Sequence, residues 1–291
     1  MQDNGVFEPG PAWKSALLDF IGKPVPRILI QISLWLGSLF LVKAVLIKPT
    51  LSLFIADEEV RILFQGSLTL ISAFALYYFL IRKLEKRAVT ELALNHFVRE
   101  AVSGLLLAFA MISLLVLVLW ISGCYTFVSV NPLTVLLYPL VWVPLMASVE
   151  EIGFRGILFR IAEQAWGTNI ALLLSAIIFG LMHAPNENAN VPMILSATSG
   201  GLLMCMAYVL TKNLWFPIAF HAGWNFSQVI WGTAVSGTDI FGMFITAEID
   251  GPEWITGGAV GIEGSYFGIG LVIMASLVLY LIASKRGAVL A

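Results

Sequence analysis

Residues 133–165 read LTVLLYPLVWVPLMASVEEIGFRGILFRIAEQA, an apolar run that passes straight into Glu150 and Glu151 and then meets Arg155. How far this helix continues decides the architecture. If it stops at residue 149, the two glutamates lie at a membrane edge. His183, about 14 residues into the next apolar run, then stands roughly 21 Å away along the membrane normal at 1.5 Å per residue. If it continues from about Leu133 to Ala165, with a bend expected near Pro144, Glu150 sits about 22 Å above its far end. His183 then lies at a similar height, with His221 and Asn225 on a later segment close by. Only the long helix lets these groups meet, so a long helix and a buried polar cavity are expected.

The rest of the chain supports a membrane setting. Hydrophobic residues make up 59% of the 291 and charged residues 12%, about half the charge a soluble domain carries. The mean hydropathy is +0.92. The expected fold class is all-α, a polytopic membrane protein of about eight transmembrane helices around a buried polar active-site cavity. Apolar runs at roughly 28–47, 62–81, 101–122, 132–149, 170–184, 193–210, 214–232 and 266–284 are near the length that crosses a bilayer. A net charge of −2 argues against nucleic acid as a partner. Cys124 and Cys205, the two cysteines, fall at or inside apolar segments and suggest neither a disulfide framework nor a CxxC site. The first twenty residues hold acids, Pro and Gly without an apolar core, so no cleavable signal peptide is expected.

Five regions follow. Residues 1–25 form an N-terminal segment, in which Trp13, Leu17, Phe20 and Ile21 have the spacing of an interfacial helix. Residues 26–130 hold the first spans, 131–232 the catalytic core, 233–265 an acidic loop, and 266–291 the last span and tail. Lys and Arg mark the cytoplasmic side. Lys23, Arg27, Arg82, Lys83, Arg87, Arg160, Lys212, Lys285 and Arg286 fall on one face of an eight-span topology with both termini cytoplasmic. Asp57, Glu58, Glu59 and the 233–264 loop fall on the other, and that loop carries five acids and no Lys or Arg. The loop reads as solvated surface, and Arg160 with Glu163 as an exposed pair at a helix end.

Ionisable groups inside a bilayer are functional candidates by default. Three sets qualify: Glu150, Glu151 and Arg155; Phe179 and His183; His221 and Asn225. Positions i and i+4 share a helix face, so Glu151 can pair with Arg155. Glu150 points about 100° away. The two acids are therefore expected to serve different partners, leaving Glu150 free to face a cavity as a general base.

In this order the three sets resemble the CPBP intramembrane protease family. That family includes the type II CAAX prenyl endopeptidases and bacterial relatives linked to bacteriocin processing and immunity. Its motifs EExxxR, FxxxH and HxxxN match Glu150, Glu151 and Arg155, then Phe179 and His183, then His221 and Asn225, over roughly residues 131–232. The glycine-rich stretch from Thr256 to Ser265 is similar to a feature of some bacterial members. The resemblance implies an intramembrane endopeptidase acting on a membrane-associated protein or peptide, prenylated CAAX-type substrates among the options. Glu150 with His183 would activate water, His221 and Asn225 would stabilise the oxyanion, and Glu151 with Arg155 would support them. No cofactor is required by that scheme. Its alternative is a zinc ion held by Glu150, His183 and His221, since two His and a Glu leave an open water position. The competing functions are a proton- or ion-coupled transporter, and a non-catalytic immunity or binding protein of the same fold.

Overall fold

Apolar side chains cover the outside of the protein, and its charges are drawn inward or to its two ends. In the computed structural model, which describes residues 19–290, Phe40, Leu53 and Ile121 are more than 70% exposed while Glu151 and Arg155 are fully buried. This inversion of the soluble pattern places the helix exteriors in lipid. The protein is an integral, multi-pass membrane protein.

Its helices are α1 (Pro24–Leu41), α2 (Lys48–Phe54), α3 (Glu58–Leu84), α4 (Phe97–Ile121), α5 (Leu137–Glu151), α6 (Arg160–Met182), α7 (Val191–Thr211), α8 (Trp215–Trp231), the single turn α9 (Glu253–Thr256) and α10 (Tyr266–Lys285). A π-helical stretch, Val42–Ile47, joins α1 to α2, and another, Ile152–Phe159, joins α5 to α6. Strands β1 (Tyr125–Val130) and β2 (Ile245–Ile249) pair antiparallel as a ribbon outside the helical body. The all-α expectation holds apart from this ribbon. Of the N-terminal interfacial helix, Trp13 and Leu17 lie outside the described residues, and Phe20 is exposed.

The long helix is present. A short 3₁₀ turn at Leu133–Leu136, α5, the π-helical stretch and the first turns of α6 run without a break to residue 166. There Gly167, with φ 78 and ψ 167, turns the chain back on itself. Only glycine adopts that backbone cheaply, so Gly167 separates the two arms of a helical hairpin. Pro144 lies inside α5, but the irregularity of the long helix is π-helical and begins about two turns beyond it, at Ile152. Six helical stretches among the described residues are long and apolar enough to span a membrane. One of them, 133–182, is this broken hairpin, and α8, at 17 residues, falls below the length of the others.

Two features set the site's frame. Helices α4 and α8 pack backbone to backbone: a Cβ on Gly104 would lie 2.9 Å from both Phe216 O and Phe220 N, and one on Gly223 3.1 Å from Leu105 Cα. Small residues at such crossings are how membrane helices gain packing without a hydrophobic driving force. At the basic end, Glu85 gathers Arg27 at 2.7 Å, Gln31 at 2.8 Å, Arg87 at 2.6 Å and Arg160 at 2.8 Å. Arg160 also donates to Gly156 O at 2.7 Å, a carbonyl of the π-helical stretch that the Tyr77 hydroxyl also reaches at 2.9 Å. Burial pushes the Glu85 carboxyl up, but hydrogen bonds and charge from Arg160, with those from Arg87 and Gln31, outweigh it and hold the group well below the usual range. The expected exposed Arg160–Glu163 pair is not formed. Both residues are buried: Arg160 is taken by Glu85, and Glu163 accepts from Lys212 at 2.8 Å and Thr168 at 2.9 Å. The Gly167 turn folds this helix end inward, so neither side chain reaches solvent.

Candidate active site

The i, i+4 spacing of Glu151 and Arg155 survives the π-helical stretch. Arg155 Nη1 donates to Glu151 Oε1 at 2.9 Å, and both side chains are fully buried. Arg155 Nη2 donates to Gly201 O on α7 at 2.7 Å, and its guanidinium lies 4.7 Å from the Phe179 ring centroid. Desolvating such a pair costs several kcal/mol per ion unless its remaining hydrogen bonds are made. Here Gly201 O on α7 and the Phe179 ring face offset part of that cost, while Arg155 Nε and Glu151 Oε2 have no hydrogen-bond partner among the described residues. The pair therefore clamps α5, α6 and α7 together at one depth.

Glu151 has a second partner. Its Oε1 lies 2.9 Å from His221 Nδ1, which fixes the imidazole ring from behind. The opposite nitrogen, Nε2, faces Glu150 Oε2 at 3.9 Å. The expectation that the two acids serve different partners is corrected here. They do diverge around the helix, but an imidazole offers two nitrogens on opposite sides, and His221 stands between them. Glu150 is the freer acid: its side chain is 31% exposed, and Oε2 has no hydrogen-bond partner among the described residues.

His183 caps the end of α6, where its Nδ1 lies 2.8 Å from Phe179 O. A carbonyl can only accept, so Nδ1 carries the hydrogen and Nε2 is left as the outward nitrogen. The Phe179 ring sits between the two imidazoles, 4.8 Å from His183 and 6.0 Å from His221 between centroids. Glu150, His183, His221 and Asn225 all line one cavity of about 300 Å³. The four predicted groups thus converge, as the long helix requires.

Two further cavities adjoin it. A lateral cleft of about 460 Å³ between α1, α3 and α5 is walled by Leu36, Leu39, Phe40 and Val149, and reaches Glu150. A small inner cavity of about 50 Å³ lies beyond Phe179, with His183, His221, Asn225 and Glu263 on its wall. Glu263 was expected at a solvated surface. It is buried, accepting from Trp224 Nε1 at 2.9 Å and from the Ser236 amide at 2.5 Å. The sequence signal that could have found it is the clustering of glycines around a single acid from Thr256 to Ser265, a pattern of tight backbone rather than of a solvated loop.

The zinc alternative can be tested on the donors. Holding Nδ1 of each histidine from behind and leaving Nε2 forward is how metal ligands are commonly oriented. Yet no group of three His, Cys, Asp or Glu side chains among the described residues is drawn close enough to form a ligand set. Glu150, His183 and His221 share a cavity without closing on a common point.

Residues 129–227 match the family described as "Type II CAAX prenyl endopeptidase Rce1-like". The resemblance carried by the three motifs is borne out over that segment. A curated Bacillus subtilis (strain 168) protein, "Putative membrane peptidase YdiL", is 34% identical over 96 residues. The match covers 30% of this chain and spans 37% of that relative's length. No solved structure matches.

Proposed function

We propose that the protein is an intramembrane endopeptidase that hydrolyses a peptide bond of a membrane-associated protein or peptide by a glutamate-activated water. One observation carries the reading: of two adjacent glutamates, Glu151 is fully buried and held through one oxygen by Arg155 and His221, while Glu150 is partly exposed, lines the cavity and keeps Oε2 unpaired, 3.9 Å from His221 Nε2. That separation is too long for a direct hydrogen bond and suits one water held between them.

In this scheme Glu150 takes a proton from the water as its oxygen attacks the scissile carbonyl carbon. His183 orients that water through Nε2. The carbonyl π electrons move to oxygen, where His221 Nε2–H and the Asn225 amide receive the charge. Glu151 holds His221 from behind at Nδ1, so the imidazole meets the oxyanion without reorganising, a term worth several kcal/mol in related chemistry. When the tetrahedral intermediate collapses, the C–N bond breaks and Glu150 returns its proton to the leaving amine nitrogen. The apolar lateral cleft offers a substrate carrying a hydrocarbon anchor a route to Glu150 from the bilayer, which fits prenylated CAAX-type substrates. The distribution of Lys and Arg supports a cytoplasmic location for both termini.

The test compares wild type with Glu150→Ala in detergent on a quenched fluorescent peptide library that includes prenylated members. Cleavage by wild type and none by the variant, at equal thermal stability, is the expected result. Equal cleavage by both would remove Glu150 as the base. Loss of wild-type cleavage on chelation, restored by zinc, would replace the metal-free scheme.

A further inference from the structure

Glu263 is the one carboxylate on the wall of the inner cavity, and the scheme above leaves it without a task. It is 8% exposed, and among the described residues no Lys, Arg or His pairs with it. A buried carboxylate without a cation is costly unless hydrogen bonds replace its hydration. Here every bond comes from an N–H group: Trp224 Nε1 at 2.9 Å and Gln228 Nε2 at 3.4 Å on Oε2, and the Ser236 amide at 2.5 Å on Oε1. A side chain that only accepts, on both oxygens, is what three converging donors require.

The donors sit on the two structures that frame the reacting groups. Trp224 precedes Asn225 on α8, and Gln228 lies one turn further along. Ser236 and Gly237 form a tight turn with φ 48 and φ 76. The left-handed backbone at Ser236 is sparsely populated for a residue with a side chain and persists only where its surroundings hold it. The far side of that turn is held from the His183 side: Asn186 Nδ2 donates to Ser236 O at 3.1 Å and Asn188 Nδ2 to Gly237 O at 2.7 Å. Ser236 itself lines both cavities around the site. Glu263 thus ties the helix bearing His221 and Asn225 to a turn anchored beside His183. Its donors engage both carboxylate oxygens, which ties the side chain to the protein frame.

We propose that Glu263 is a positioning residue of the reaction, acting through Asn225 by fixing α8 and the Ser236–Gly237 turn relative to His183. This rests on the endopeptidase reading. The experiment measures kcat and KM for Glu263→Ala and Glu263→Gln in the wild-type and Asn225→Ala backgrounds, on a peptide that wild type cleaves, with thermal stability recorded for each protein. Glu263→Ala is expected to lower kcat about 10- to 100-fold with KM changed less than about threefold, the scale of a small misplacement of a reacting group. In the Asn225→Ala background the same substitution is expected to cost less than about threefold, because the group it positions is gone. Glu263→Gln, which turns an amide N–H₂ toward the donors, should fall between.

The same fold-loss in both backgrounds, a change in KM alone, or unchanged kcat would each overturn the proposal. If Glu263→Ala fails to fold, Trp224→Phe carries the test, since it removes one donor and little volume. It must lower kcat in wild type and not in Asn225→Ala. A wild type that cleaves, a dead Glu150→Ala and an additive Glu263→Ala would overturn this proposal and leave the endopeptidase reading standing. A wild type that cleaves nothing would remove both.

Discussion

Replacing Arg155 with methionine keeps much of the side-chain volume and removes the charge. The guanidinium is fully buried, 2.9 Å from Glu151 Oε1 and 2.7 Å from Gly201 O. Removing it strips the Glu151 carboxylate of its cation and the Gly201 carbonyl of its donor. Breaking one side of a buried pair costs about 3–5 kcal/mol, mostly the penalty of the charge left behind. His221 remains against Glu151 at 2.9 Å, which places the expectation at the lower half of that range. At about 2–4 °C per kcal/mol for chains of roughly this size, the melting temperature should fall by about 6–16 °C. The assay is tryptophan-fluorescence or thiol-probe unfolding in detergent for Arg155→Met, Glu151→Gln and the double variant. Because the cost lies in the orphaned charge, the double variant should recover at least half of the loss seen in Arg155→Met. A single variant within about 2 °C of wild type, or a double variant no better than Arg155→Met, would refute the reasoning.

Three further outcomes can be checked on the same samples. Glu150→Gln should lower kcat by about 10²–10⁴, the usual worth of a general base, while leaving the melting temperature within about 2 °C, because this side chain is partly exposed and its Oε2 is unbonded. Gly180→Ala should lower stability and cleavage together: the added Cβ would lie 2.0 Å from Thr198 Oγ1 and 2.8 Å from Ile194 O, so α6 and α7 must separate one turn before His183. Glu85 gives a pH test, since its folded-state pKa is depressed. Its stabilising contribution is complete above the unfolded-state value of about 4.3 and is lost as pH falls below it. The gap in melting temperature between wild type and Glu85→Gln should therefore be widest near pH 7 and shrink toward pH 3; a gap independent of pH would contradict the assignment.

Much of this arrangement was legible in the residues. Apolar runs mark helices that face lipid, and the demand that Glu150, His183 and His221 meet was enough to extend one helix past two glutamates. The pairing of Glu151 with Arg155 followed from helical spacing alone. What the spacing could not reveal is where a side chain goes once three helices surround it. Angular separation of Glu150 and Glu151 suggested separate partners, but a ring with two nitrogens can sit between them. Arg160 and Glu163 were misread for a similar reason: the sequence shows a charged helix end, while the Gly167 turn that folds it inward acts through the tertiary structure. Glu263 escaped because an acid in an acidic loop reads as solvated until the donors on α8 and in the Ser236 turn are seen to converge on it.

The hydrogen bonds that hold Arg155 and Glu151 also set an order for biogenesis. These two side chains enter the membrane with their own helix, but their outside partners lie 46 and 70 residues further along the chain, at Gly201 and His221. At about 5–20 residues per second of synthesis, the helix waits several seconds or more for the second of them. A charged residue at a helix centre costs about 2.5–3.5 kcal/mol during insertion, and in that interval only the mutual pairing of Glu151 and Arg155 offsets it. The segment from 133 to 166 is therefore a poor independent passenger of the insertion machinery. It should be retained beside the translocon until α7 and α8 emerge, so that these contacts close only when the helix bearing His221 has joined it.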